Sequence, residues 1–384
     1  MTNQNKIINK CFYAFLVSGL TVLMIGAIIP YMREERGFSY TVAGSFLSAY
    51  AIGNFSTSFF SPFLASKIGR KYTIVLLSSL VPISFFVVLL STSSTVIFCA
   101  FLAAGLGRGG ISNINNAVVN DASNGSPAKI NILHTFFAIG AFIAPFLTST
   151  FIYFGLTWKH VLITTIVLSI TGVIAYGTME LQDKPVKEEK KAETVSNNKY
   201  LKSVDFYIIG FLLFFYLGLE NCVNGWFVSY LQDTGVMSAS YATNLVSIVW
   251  ICVIIGRLTC AYLSKKFSKK RIILINSIGC VSFFLLLIST TNIVVITISI
   301  IGLGLFLAGI YPTGVANAGL LIKGSTTGMA ILLAIASLGG IIMPQIIGVL
   351  ADKIGMSGAI GILAIDVVIM LILAIINNVR KVIV

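Results

Sequence analysis

Charge is what this sequence has least of. Only 10% of its 384 residues are Asp, Glu, Lys or Arg, while 57% are hydrophobic and the mean hydropathy is +0.96. A soluble domain carries about 25% charged residues, so an integral membrane protein is implied. Histidine occurs twice, at 134 and 160. There is no HExxH, no phosphate-binding loop and no polar stretch large enough to hold a nucleotide, so a membrane enzyme or receptor has little support. The six cysteines, at 11, 99, 222, 252, 260 and 280, form no CxxC pair and lie in or beside apolar runs. They read as small core hydrophobes, with neither a disulfide framework nor a metal or cofactor site expected.

What is abundant is apolar sequence in long runs. A hydrocarbon core about 30 Å thick needs about 20 apolar residues per helix. Twelve such stretches are expected near 9–31, 40–64, 72–91, 95–118, 130–153, 158–180, 204–231, 239–263, 272–290, 293–317, 325–350 and 355–378. The first follows Lys6 and Lys10 and lacks a small-residue cleavage site, so it reads as a retained span. One connection is long, the Lys- and Glu-rich 181–203, and it reads as a solvated linker between a six-helix half at 1–180 and another at 204–384. With the N-terminus placed inside, 20 of the 26 Lys and Arg residues fall on the inner side, including Lys184, Lys187, Lys190, Lys191, Lys323 and Lys381. Four (Arg33, Arg36, Lys159 and Lys353) fall outside, and Arg108 and Arg257 lie within spans. Both termini and the linker are therefore expected on the cytoplasmic face of the cell membrane. The net charge of +13 needs no nucleic-acid partner, because inner loops facing anionic lipid account for it.

The two halves repeat. A shift of 199 residues superposes Gly19 on Gly218, Gly26 on Gly225, Tyr31 on Tyr230, Lys71 on Lys270, Gly140 on Gly339 and Pro145 on Pro344. It also lays PFLASKIGRK (62–71) on AYLSKKFSKK (261–270). Two parallel six-helix halves with a midplane site between them are the arrangement such a repeat implies for a transporter.

PFLASKIGRK resembles the loop between the second and third helices of the major facilitator superfamily, commonly G-x-L-A-D-R-x-G-R-K. Pro62 and Ser66 replace its glycine and aspartate. In that family the aspartate helps latch the cytoplasmic side, so the resemblance implies an altered latch here. The antiporter-type arginine of the fourth helix is replaced by Phe101, with Arg108 two turns further on. GLGRGGISNINNAVVND (105–121), LHTFFAIGAFIAPFL (133–147) and YLGLENCVNGWFVSYL (216–231) are together similar to the fucose-permease type and its uncharacterised relatives. The departure is in the first helix, where Thr21 stands among apolar neighbours and a sugar–proton symporter of this type carries an aspartate. The resemblance implies an all-α fold of twelve transmembrane helices in two pseudo-symmetric halves, and a monomer.

Polar residues inside such spans are expensive and are read as functional by default. Glu220 and Asn224 share a face of the seventh span, beside Asn221. Glu220 reads as the proton-coupling group, its structural alternative being a neutral carboxyl that joins helices. Arg108 keeps its charge at any relevant pH, so it binds solute or has a permanent partner. Of Asn113, Asn115 and Asn116, which circle one helix, Asn116 is taken as the solute ligand. His134, read as lying in the first turn of the fifth helix, is a candidate proton relay or a packed histidine. Asp366 is taken as structural or protonated. Tyr50, Trp226, Trp250 and Tyr311 are candidate stacking surfaces, with core packing the alternative. Gly69, Arg70, Lys71, Asp121 and Arg257 are assigned to the conformational change. GIYPTG (309–314) and LGGIIMP (338–344) mark either bends or close packing. The resulting reading is a secondary active transporter moving a small polar solute by alternating access, with the proton as coupling ion and symport as the mode. Its rivals are a proton-coupled multidrug or metabolite exporter and an organic-anion carrier built on Arg108.

Overall fold

Backbone crossing lipid has to satisfy each N–H and C=O within its own segment, and the apolar runs meet that demand as helices. The protein, a computed structural model, is described over residues 3–181, 198–322 and 325–380, all of them helix or short connection. Residues 182–197 of the linker, with Lys184, Lys187, Lys190 and Lys191, lie outside the described residues, as do Lys323 and Lys381.

The chain divides into two compact units, Met1–Lys190 and Lys191–Val384. The first contains α1 (Asn3–Arg36), α2 (Tyr40–Ile68), α3 (Arg70–Leu90), α4 (Ser94–Ala122), α5 (Pro127–Tyr153) and α6 (Trp158–Gly177). Within it α1 packs on α5 and α6, and α4 packs on α2 and α3. The second contains a 3₁₀ turn (Asn198–Lys202), α7 (Val204–Asp233), α8 (Ala239–Leu263), α9 (Lys269–Ile288), α10 (Ile293–Leu307), α11 (Ile310–Ile322) and α12 (Thr326–Val379). There α7 packs on α12, and α10 packs on α8 and α9.

Ten helical segments among the described residues are long and apolar enough to cross a membrane. One of them, α12, is two helices meeting at Gly355, whose φ of 77° no helix interior adopts. With that division, and with the serine-rich α2, the chain has the twelve spans of the expected fold. Large apolar side chains such as Phe63, Leu90, Leu258 and Ile365 stand exposed, as a lipid-facing surface requires.

The helices run further than hydropathy indicates, because their polar ends are held by partners. Arg36 donates to the carbonyls of Val88 (2.8 Å) and Leu89 (3.2 Å), capping the C-terminus of α3. Glu35 pairs with Lys159 (2.5 Å) and accepts from the Trp158 indole (2.7 Å), tying the end of α1 to the start of α6. Asp205 and Arg380 (2.6 Å) join the start of α7 to the end of α12.

The tenth span, expected over 293–317, is one apolar segment, Ile293–Gly319, with a turn between α10 and α11, because Pro312 has no N–H to offer the Ala308 carbonyl. One expectation is corrected. Cys99 is exposed and not a core residue, whereas the other five cysteines are buried.

The repeat is written in backbone contacts. A Cβ on Gly105 would overlap the Tyr50 carbonyl oxygen; one on Gly304, 199 residues later, would meet the Val249 carbonyl, itself 199 residues after Tyr50. Gly140 lies in the same way on the Leu16 carbonyl, and Gly339 on that of Phe214. Ser39 caps α2 and Ser238 caps α8, again 199 apart. Small residues at these points let helices approach to backbone contact, which is how helices associate where lipid offers no hydrophobic drive.

Candidate functional site

Each unit brings together one cluster of intramembrane polar groups. In the first, Arg108 projects from the middle of α4 and is half-buried. Its guanidinium carbon lies 4.8 Å from the ring centroid of Phe137 on α5 and 5.8 Å from that of Phe15 on α1. Tyr50 of α2 and Tyr176 of α6 are the groups with which its charge interacts. The Nη1 atom of Arg108 is buried without a hydrogen-bond partner among the described residues, and so is the Tyr176 hydroxyl.

Arg108, Ser112 and Asn116 follow at helical spacing along one face of α4. The Asn116 amide donates to the Ser112 carbonyl (2.7 Å), and its oxygen faces Nε2 of His134 at 3.2 Å. His134 in turn sets its ring edge-on to Phe15 at 5.5 Å. It sits in the third turn of α5 and not the first, because the helix begins at Pro127. The other asparagines of α4 hold helices together: Asn113 donates to Ser61 (3.0 Å), and the buried Asn115 donates to the Cys11 carbonyl (3.1 Å).

In the second unit Glu220 of α7 is half-buried and accepts a hydrogen bond from the Tyr216 hydroxyl at 3.1 Å. Tyr216 stacks on Tyr311 of α11, centroids 5.8 Å apart and planes inclined by 28°. Arg257 of α8 is close enough for its charge to act on both Glu220 and Tyr216, yet forms no ion pair with Glu220 among the described residues. A carboxyl held by one hydroxyl, with a cation standing off it, can exchange partners as its charge changes. Asn224, one turn on, is half-buried and its side chain has no hydrogen bond among the described residues.

The remaining α7 candidates face elsewhere. Asn221 donates to its own Leu217 carbonyl (2.9 Å) and packs on Gly340. Trp226 is fully buried and donates to the Pro344 carbonyl (2.9 Å), so it fastens α7 to α12. Trp226→Phe is expected to lower stability by about 1–3 kcal/mol through the lost hydrogen bond and volume, leaving solute affinity unchanged. Thermal unfolding in detergent beside a binding titration would check both. Trp250 is buried in α8. Asp366 is buried in the second part of α12 against Gly218 and Met343, neither of its oxygens bonded among the described residues.

Of the residues assigned to conformational change, Gly69, Arg70, Lys71 and Asp121 lie at helix ends, whereas Arg257 stands inside α8 near Glu220. Gly69 makes the α2–α3 turn with φ 83°, and the half-buried Lys71 follows Arg70. Arg70 pairs with Asp121 at the end of α4. Ser66 turns back to the Phe63 carbonyl of its own helix (2.7 Å), and among the described residues Asp121 is a carboxylate that pairs with Arg70.

Sequence reasoning missed Phe15, Phe137, Tyr176 and Tyr216 as members of these clusters. Tyr216 could have been found, since it stands four residues before Glu220 on the same face. The others come from separate helices and carry no local signal.

Residues 11–293 and 209–381 match the family model described as Major Facilitator Superfamily. The glucose/mannose transporter GlcP of Bacillus subtilis is 23% identical, over 88% of this chain and 86% of its own. The solved nucleoside transporter NupG is 15% identical with a TM-score of 0.81, covering 99% of this chain and all of its own. The E. coli fucose:proton symporter FucP is 17% identical with a TM-score of 0.62, covering 98% and 100%. At these identities the two structures establish the fold.

Proposed function

The chain belongs to the Major Facilitator Superfamily, and from that premise we propose that it carries a small polar solute into the cell by symport with a proton. It is a multi-pass membrane transporter of a small molecule, and not an enzyme. The coupling, the solute class and the residues that bind it are the proposal, as are the cell-membrane location, cytoplasmic termini and monomeric state.

The observation that carries this reading is Glu220, held by Tyr216 and faced by Arg257. When ionised, it accepts from the Tyr216 hydroxyl and draws Arg257. When protonated, it releases Arg257 and can donate a hydrogen bond to a solute. Proton and solute thereby favour the same state, and a difference in affinity between states is what a coupled conformational change requires. Arg108, Asn116, His134 and Tyr50 are the solute-holding set of the first half; Tyr311 and Asn224 serve in the second. Rocking of the halves, with Arg70 and Asp121 at the cytoplasmic end, exposes the solute to each side in turn. The names of the similar transporters, for glucose and mannose and for nucleosides, support a hydroxyl-rich solute.

The test is proton movement. Purified protein in liposomes loaded with a pH-sensitive dye is expected to acidify the interior when its solute is added outside, in a panel of sugars, nucleosides, organic acids and cationic drugs. Transport of a solute at an unchanged internal pH would sink the symport reading.

A further inference from the structure

Arg108 stands at residue 15 of the 29 in α4, far from either end of its helix. The acidic side chains of the first unit's described residues are Glu34 and Glu35 at the end of α1, Asp121 at the end of α4, and Glu180 beyond α6. Glu35 is held by Lys159 and Trp158, and Asp121 by Arg70. No carboxylate among this unit's described residues therefore neutralises the guanidinium. Its guanidinium carbon lies over the rings of Phe137 and Phe15, an arrangement that steadies a cation through the ring quadrupoles. The N–H groups are another matter, because Nη1 is buried and has no acceptor among the described residues. The tyrosine hydroxyls it interacts with can accept as well as donate, yet neither bonds to Arg108 among the described residues, and that of Tyr176 is likewise unbonded. Aromatic rings thus flank a buried guanidinium N–H group that has no acceptor among the described residues.

From this we infer that the solute carries a carboxylate, which docks in the plane of the Arg108 guanidinium. The inference rests on the proposed transport function and narrows its solute class to organic acids, including sugar acids. Planar guanidinium and planar carboxylate match in a two-bond fork, which lysine cannot form. Protonation of Glu220 gives the coupling a further logic. One proton carried with one monoanion is electroneutral, so the loaded carrier crosses without working against the membrane potential.

The experiment uses the purified full chain and matched pairs that differ only in the acid: glucuronate and glucose, galacturonate and galactose, gluconate and sorbitol. Binding is read by thermal shift and transport by counterflow in liposomes. The acid of at least one pair is expected to bind about tenfold to a hundredfold more tightly than its neutral twin. Arg108→Gln should erase that preference, and Arg108→Lys should keep a part of it. If the glutamine variant does not fold, the wild-type preference decides alone. Equal or tighter binding of every neutral twin, a preference that survives Arg108→Gln, or no binding by any of the acids would overturn the inference. The dye-loaded liposomes separate this from the coupling. A neutral sugar carried with a proton leaves symport standing and removes the acid, whereas an acid carried without proton flux does the reverse.

Discussion

Glu220→Gln is expected to abolish uphill accumulation of solute while sparing exchange of solute for solute. A one-unit pH gradient corresponds to about 1.4 kcal/mol, which one-to-one coupling converts into tenfold accumulation; the variant should fall to a ratio of about one. Glutamine has nearly the shape of glutamic acid, and its amide oxygen can still accept from Tyr216, so the packing of α7 is preserved. Counterflow then serves as an internal control, because it needs alternating access but no net proton movement. A variant that still accumulates tenfold would remove Glu220 from the coupling. One that loses counterflow as well would place Glu220 in solute binding itself.

The second large effect concerns stability. Leucine at Gly140 or Gly339 is expected to cost about 3 kcal/mol or more, and in practice to prevent recovery of monodisperse protein. At each position a Cβ would overlap a backbone carbonyl oxygen of the facing helix, Leu16 in one unit and Phe214 in the other. A flexible side chain could move aside, but a carbonyl in mid-helix can move only with its whole helix. Gly361 supplies the contrast, since nothing lies within 4 Å of a Cβ there. Gly361→Leu should stay within about 0.5 kcal/mol of wild type. Size-exclusion profiles and unfolding midpoints of the three variants would check the ordering.

The spans were legible because nearly all are long apolar runs, and the repeat because glycines mark close backbone contacts between helices. The extents were less so. Arg36 ends α1 beyond the expected 31 through partners on α3, which hydropathy does not register, whereas α7 begins at Val204 as expected. The break before α11 was marked by Pro312, but Thr313 still bonds to the Gly309 carbonyl (3.3 Å), so the apolar run continues across it. At the candidate site, residue type was informative and facing was not. Glu220, Asn221 and Trp226 lie within two turns of a helix whose apolar residues surround it. Only the packing separates a side chain beside Arg257 from one against Gly340 and one fastened to Pro344.

The matched glycine contacts have an evolutionary consequence. At the 199-residue spacing that pairs Gly105 with Gly304, the counterpart of Arg108 is Leu307, that of Glu220 is Thr21, and that of Arg257 is Ser58. Duplication of an ancestral six-helix segment thus left its scaffold in both copies, while the ionisable chemistry was divided between them. Neither copy can stand in for the other. A tandem of the first half would inherit every helix contact of that half and two buried cations, with no carboxylate in either membrane interior.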